Sequence, residues 1–272
     1  MPSLGLSLGL GGVRVLGAAG GPTYDPDALA WFEAVEGAGS VFATGAKDAY
    51  NNFFVSQKAN GNLEAFNNGM MLFYVGFTGL NGCFVPVRSR GGTLPTNVSF
   101  VSGQKFSDGL QGGGTARIDT NLGFLSGQQN SHCLGSFVTG IETGASGVRP
   151  DMGNGAYFVS GGSAIGVDLS VSVVRYWSSA GNTVLTIAAN TGARFLNRTS
   201  SANFSYFSRT TSELQARDSE TIRTANLLFY STPGQIPSSS RYAAQFFGDA
   251  LPDPEAFRTA LNTLMTALGV SY

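Results

Sequence analysis

From about residue 86 to residue 247 the chain shows no helical period, only short apolar runs separated by Gly, Ser, Asn and Thr, and this spacing limits the fold more than any other feature. Candidate strands fall at Val98–Val101, Ala116–Asp119, Cys133–Thr139, Ala156–Ser160, Val167–Trp177, Thr183–Ala188, Phe204–Arg209 and Leu227–Tyr230. The clearest is Val167–Trp177, where Val167, Leu169, Val171 and Val173 alternate with Asp168, Ser170 and Ser172, as expected of a strand with one packed and one wet face. Parallel units would need a helix between successive strands, and none fits here. The expected fold is therefore mainly β, an antiparallel sandwich of jelly-roll type.

Helices flank this body. Asp25 can cap a helix that has Pro26 in its first turn and continues through Trp31, Phe32 and Val35 to Gly37 and Gly39. A second runs from near Gly45 to Asn60-Gly61 with Tyr50, Phe53 and Phe54 on one face. Asn62 can cap a short third helix through Leu63, Ala65 and Phe66, and Met70–Phe77 then continues as an apolar segment. Residues 22–85 read as a small helical unit with Tyr50, Phe53, Phe54 and Phe66 in its core, and residues 86–272 as the sandwich with a C-terminal helix. That last helix is capped by Asp253, has Pro254 in its first turn, and carries Phe257, Leu261, Leu264, Met265 and Leu268 on one stripe before Gly269.

Residues 1–21 form an extended Leu/Gly arm in this reading. Leu4, Leu6, Leu8 and Leu10 alternate with Gly5, Ser7 and Gly9, which places the leucines on one side of a strand and leaves the other able to approach a backbone closely. A secretory signal would need a basic start and an unbroken apolar core, and the first basic residue is Arg14. A lone strand needs a second surface. With Val13 and Val15, the four leucines are the candidate partner-anchoring residues, and the partner surface is either the chain's own domain or a neighbouring subunit.

Glycine contributes 38 of 272 residues, about double the usual share, and charged residues make up 12%, about half the usual share, a balance that suits many turns and surface hidden in an assembly. The net charge of −1, with no Lys/Arg cluster, argues against nucleic-acid binding. The apolar run Met70–Val75 is too short to span a bilayer. Cys83 and Cys133 lack zinc-ligand spacing and read as buried free thiols unless the fold pairs them. Sequons stand at Asn97, Asn197 and Asn203.

Catalytic, metal and cofactor signals are absent from this reading. His132, the one histidine, precedes Cys133 directly, and adjacent strand residues point to opposite faces, so it reads as a polar residue at a strand start. Gly112-Gly113-Gly114-Thr115 lacks the Lys of a phosphate loop, and no helix follows Gly91-Gly92. Asp119, Asp151, Asp168, Glu213, Asp218 and Glu220 fall in the β body, none within a catalytic motif. The expectation is a chain that is not an enzyme; a polysaccharide-degrading reading would need two carboxylates facing across a cleft.

Several phrases together resemble tailed-bacteriophage virion proteins with a laminin-G-like, or concanavalin-like, jelly roll. They are the capped helix and its followers over Asp25–Phe66, Gly112-Gly-Gly-Thr-Ala-Arg-Ile-Asp119-Thr120, Gln129-Asn-Ser-His-Cys-Leu-Gly-Ser-Phe-Val138, Ser208-Arg209-Thr210, and the strand-to-helix close over Ala243–Gly269. The family's Trp in the short third helix is either replaced by Phe66 or absent here, and its late Asn-Gly hairpin is not evident near Ala216. The resemblance implies a structural or accessory component of the virion (tail, baseplate, fibre or head decoration), with other virion proteins and further copies of itself as partners. It also implies an alternative, a receptor- or glycan-binding module for host attachment. Tyr157, Tyr206 and Phe207 are the aromatic candidates for stacking on a sugar.

Overall fold

The structure is a computed structural model that describes residues 23–143, 146–155, 163–170, 173–177, 185–188, 190–219 and 221–272. Two antiparallel sheets form a sandwich. The nine-stranded sheet runs, in spatial order, Ser212–Ala216, Asn203–Phe207, Gly192–Arg198, His132–Gly140, Arg241–Gly248, Met70–Phe73 and Arg88–Ser89, with Gly109–Gln111 and Lys105–Phe106 appended to Arg241–Gly248. The seven-stranded sheet runs Leu185–Ala188, Val173–Trp177, Ala164–Asp168, Val148–Gly153, Asn226–Phe229, Arg117–Gly123 and Thr96–Val98.

Three helices pack on the outer face of the nine-stranded sheet: α1 (Pro26–Gly37), α2 (Ala46–Ala59) and α3 (Pro254–Ala267). The capping follows the sequence reading. Asp25 accepts from the Asp27 amide at 2.9 Å, and Asp253 accepts from the Ala256 amide at 3.0 Å. Lys58 on α2 pairs with Asp25 at 2.9 Å and with Asp27 at 2.8 Å, tying the start of α1 to its neighbour. Phe257 on α3 meets Phe66, Phe195 and Phe246 at 5.7, 5.7 and 5.0 Å between ring centres, so helix and sheet share one aromatic layer.

Three expectations change. The third helix is a 3₁₀ turn, Leu63–Asn68, and Asn62 does not cap it. Asn62 is fully buried and instead exchanges hydrogen bonds with Asp253, donating to its carbonyl at 2.9 Å and accepting from its amide at 3.0 Å. Met70–Phe73 is a strand of the nine-stranded sheet between Arg241–Gly248 and Arg88–Ser89, so the described residues of this stretch, 23–85, share one hydrophobic core with the sandwich. Two close backbone approaches hold it there: a Cβ on Gly69 would lie 1.9 Å from the Phe247 carbonyl oxygen, and one on Gly248 2.3 Å from that of Ala65. Finally, Val167–Trp177 is two strands, Ala164–Asp168 and Val173–Trp177, paired antiparallel. Asp168 accepts from the Ser170 amide at 3.1 Å, and this local Asx bond turns the chain where alternation alone predicts continuation.

A buried ion pair joins the sheets. Asp151, on Val148–Gly153, faces Arg194, on Gly192–Arg198; Nε lies 2.7 Å from one carboxylate oxygen and Nη2 2.9 Å from the other, and both residues are wholly buried. The Tyr242 hydroxyl donates to the carboxylate at 2.6 Å and Ser136 at 3.2 Å, while the Asp151 backbone oxygen accepts from Gln245 at 2.8 Å. Burial pushes the Asp151 carboxyl upward, and Arg194 and the two hydroxyls pull against it by favouring the charged form. Replacing Arg194 by Met leaves that carboxylate without its cation and is expected to cost about 3 to 5 kcal/mol in urea unfolding, whereas Asp151→Asn combined with Arg194→Met should recover part of the loss.

Candidate functional site

The outer face of the seven-stranded sheet carries an open cleft in which an arginine without a carboxylate partner among the described residues meets a built loop. Along Arg117–Gly123, Ile118, Thr120 and Leu122 point inward, while Arg117, Asp119 and Asn121 point out. On the neighbouring strand Leu227 and Phe229 are buried and Leu228 lies half-exposed on the same outer face as Arg117. The chain then folds back over this end of the sheet.

Its local sequence explains the shape. Thr232-Pro233-Gly234-Gln235 has Pro at the second position and Gly at the third with φ +76°, and the Gln235 amide bonds to the Thr232 carbonyl at 3.1 Å, as in a type II turn. Tyr230 adopts φ +67° just before it; its amide and carbonyl bond to Asp151 and Ser238, at 2.6 and 2.7 Å, and its hydroxyl donates to the Leu110 carbonyl at 2.6 Å. The loop is thus fastened to the core at its base. Between it and the Gly114–Arg117 turn lies a cleft of about 580 Å³ lined by Gly114, Thr115, Arg117, Leu228 and Ser231–Pro237.

Arg117 supplies the charge. Its Nη1 reaches only the Thr115 carbonyl, at 3.5 Å, and no carboxylate lies within ion-pair distance among the described residues. Thr232, 1% exposed, has a hydroxyl with no hydrogen-bond partner among the described residues. Pro233, Ile236 and Pro237 add apolar surface, Ile236 standing 63% exposed. A guanidinium, hydroxyl and amide groups and an apolar wall on a stiff loop can bind a small polar anion-bearing ligand.

The other sequence candidates fall elsewhere. Leu4, Leu6, Leu8, Leu10, Val13, Val15 and Tyr157 lie outside the described residues. Tyr206 and Phe207 are 1% and 3% exposed, which corrects their reading as sugar-stacking residues: Phe207 stacks on Phe195 at 4.7 Å on the helix-covered face of the sheet, and Tyr206, opposite Leu196, lies on the other face, toward the sandwich interior, so neither ring is open to a ligand. Asn197, one of the sequons, is 3% exposed, its side chain bonded to both backbone groups of Leu251. Cys83 and Cys133 are buried free thiols; burial pushes Cys83 up to about 12 and Cys133 upward as well. No group of three or more His, Cys, Asp or Glu side chains that could hold a metal occurs among the described residues, and no helix there is long and apolar enough to cross a membrane.

The cleft was not legible as a site in the sequence. Its signals, Thr-Pro-Gly-Gln as a type II turn and the outward position of Arg117, are readable separately, but only the pairing of Arg117–Gly123 with Asn226–Phe229 brings them together.

No protein-family model and no curated relative matches the chain. Solved structures do. A mutant of Trypanosoma rangeli sialidase displaying trans-sialidase activity aligns at 11% identity and a TM-score of 0.49 over 84% of this chain and 40% of the sialidase. The CBM40 domain of Ruminococcus gnavus IT-sialidase aligns at 11% identity and 0.38 over 56% of this chain and 96% of that domain. Tailspike protein 2 of Escherichia coli O157:H7 bacteriophage CAB120 aligns at 13% and 0.36 over 57% and 24%. The chain thus spans about 40% of the length of the sialidase it matches. The expectation that the chain is not an enzyme is corrected by these comparisons, because the sialidases among them are enzymes.

His132 opens the strand His132–Gly140 as expected, but inside the sandwich rather than at a wet end: its Nδ1 lies 2.8 Å from the Gln128 carbonyl and its Nε2 3.4 Å from the Ser163 hydroxyl. Burial pushes its pKa from 6.5 down to about 4. The unfolded chain therefore takes up a proton between these values that the folded protein refuses. Stability is expected to fall as pH drops through that window, by about 2 to 3 kcal/mol at pH 4.5, and to be indifferent to His132 above pH 7. Urea unfolding at both pH values checks this, and the difference should shrink by that amount in His132→Gln.

Proposed function

We propose that the protein is a glycan-binding module that takes a sugar acid in the cleft between Arg117 and the Ser231–Pro237 loop. The observation that carries the reading is the Arg117 guanidinium, set in an open cleft with no carboxylate of its own. A sugar carboxylate supplies the missing partner through a charge-assisted, two-point bond, the ring hydroxyls pair with the loop backbone, and the apolar ring face lies on Ile236 and the prolines. Sialic acid, the sugar named for one of the sialidase complexes, is the natural first probe of this class.

The setting is proposed on the sequence phrases that resemble phage virion proteins: a module displayed on a particle, with the sandwich serving host attachment. Other virion proteins and further copies of the chain are the partners that this setting supplies.

Titration calorimetry with sialyllactose and with lactose tests the reading. The acidic sugar is expected to bind and lactose to bind at least tenfold more weakly, and Arg117→Ala should lower affinity for the acidic sugar by about tenfold or more, with Arg117→Lys intermediate. Equal binding of both sugars, or an unchanged affinity in Arg117→Ala, removes it.

A further inference from the structure

Helices α2 and α3 leave a groove of about 430 Å³ between them. Its floor is made of small apolar residues, Ala49, Ala256 and Ala260, each half-buried. Its rim is polar, with Asn52, Asn60 and Thr259 exposed. Asn52 and Asn60 make no side-chain hydrogen bond among the described residues, so each offers both a donor and an acceptor across the opening. A groove of this kind suits a segment with apolar side chains on one side and an unpaired extended backbone along it.

The chain holds one such segment outside the described residues. By its alternation, an extended Leu4–Leu10 would place Leu4, Leu6, Leu8 and Leu10 on one side, and Gly5, Ser7 and Gly9 would allow a close backbone approach on the other. Lengths agree: from Ala49 to Asn60 α2 rises about 17 Å, and an extended Leu4–Leu10 spans about 20 Å. The point of departure agrees as well. Tyr24 and Asp25, at the start of the described chain, are clamped to α2, the Tyr24 hydroxyl donating to Asp48 at 3.1 Å and the Asp25 amide to Asn51 at 2.7 Å. These are the helical turns that also carry Ala49 and Asn52, so the arm leaves the fold beside one wall of the groove.

We infer that the α2/α3 groove is the receptor for the chain's own residues Leu4–Leu10, with the leucines on the alanine floor and the rim asparagines bonded to the arm's backbone. Residues 11–23 can extend to about 43 Å, more than enough to return the arm to a groove that begins one helix face from its tether. That short tether gives the arm a local concentration in the millimolar range, which favours its own groove over that of another copy.

A photocrosslinking experiment on the full chain tests this. Benzoylphenylalanine replaces Leu6, and in a control replaces Arg14; the proteins are irradiated over a hundredfold dilution series and the crosslinked peptides mapped. The expected result is an intrachain crosslink from position 6 to peptides covering residues 49–60 or 256–267, constant on dilution, and reduced about tenfold by Ala260→Trp, which fills the floor. Circular dichroism and an unchanged melting temperature establish that the Trp variant is folded, and Ala49→Leu replaces it if it is not. Crosslinks that map to another surface, that join two copies and fade on dilution, or that persist in the folded groove-filled variant overturn the inference.

Discussion

The ion pair of Asp151 and Arg194 is the constraint around which the two sheets are set. Each charge alone would be intolerable in that interior, and together they require a fixed spacing between Val148–Gly153 and Gly192–Arg198. Tyr242 and Ser136 reach the same carboxylate from two further strands of the nine-stranded sheet, and Gln245 reaches the backbone beside it. Strand register is tied to these contacts, because a slip of one residue would turn Tyr242 or Arg194 toward the helices and leave the carboxylate unpaired. Apolar area drives the sheets together, and the polar node decides how they meet.

The helical layer rests on that register. Gln245, held by Asp151, also accepts from the Tyr74 hydroxyl at 3.0 Å, which carries the network into the segment that follows Met70–Phe73. On the other face of the same strands Phe195 and Phe246 meet Phe257 of α3. The Asn62–Asp253 exchange then locks the 3₁₀ turn to the cap of α3, between residues 191 apart in sequence. The central strands are therefore buried on both faces, polar toward one side and aromatic toward the other.

That double burial explains what was legible in the sequence. Helices α1 and α3 announced themselves through Asp-Pro caps, and all three helices through glycine at their ends and one apolar stripe each, all of them local signals. The antiparallel sandwich was readable from turn spacing. Gly192–Arg198 escaped because all seven of its residues are buried, Arg194 and Arg198 among them, so it has neither the alternation nor the composition of a half-wet strand. Met70–Phe73 is likewise buried throughout and reads as well for a helix. The Asp168–Ser170 turn failed the opposite way, since a perfect alternation concealed a local hydrogen bond that reverses the chain. Tyr206 and Phe207 read as sugar-stacking candidates because nothing local reveals that α3 covers the face carrying Phe207 and that the second sheet lies against the face carrying Tyr206.

Covering one face has a consequence for recognition. With α1, α2 and α3 over the nine-stranded sheet, that side meets solvent through helix surfaces and the grooves between them, which suit apolar chain segments. The outer face of the seven-stranded sheet keeps its polar side chains, Arg117, Asp119 and Asn121, at the surface. Asp119 is turned toward neighbours of its own, accepting from the Asn121 amide at 2.8 Å and the Asn226 side chain at 3.1 Å, and so does not neutralise Arg117. The loop over Arg117 is in turn built on Tyr230, whose amide bonds to the backbone of Asp151 itself. The carboxylate that joins the sheets thus belongs to the residue on which the cleft's loop is hung, and the stiffness of the interior passes directly to the place where a ligand would have to be held.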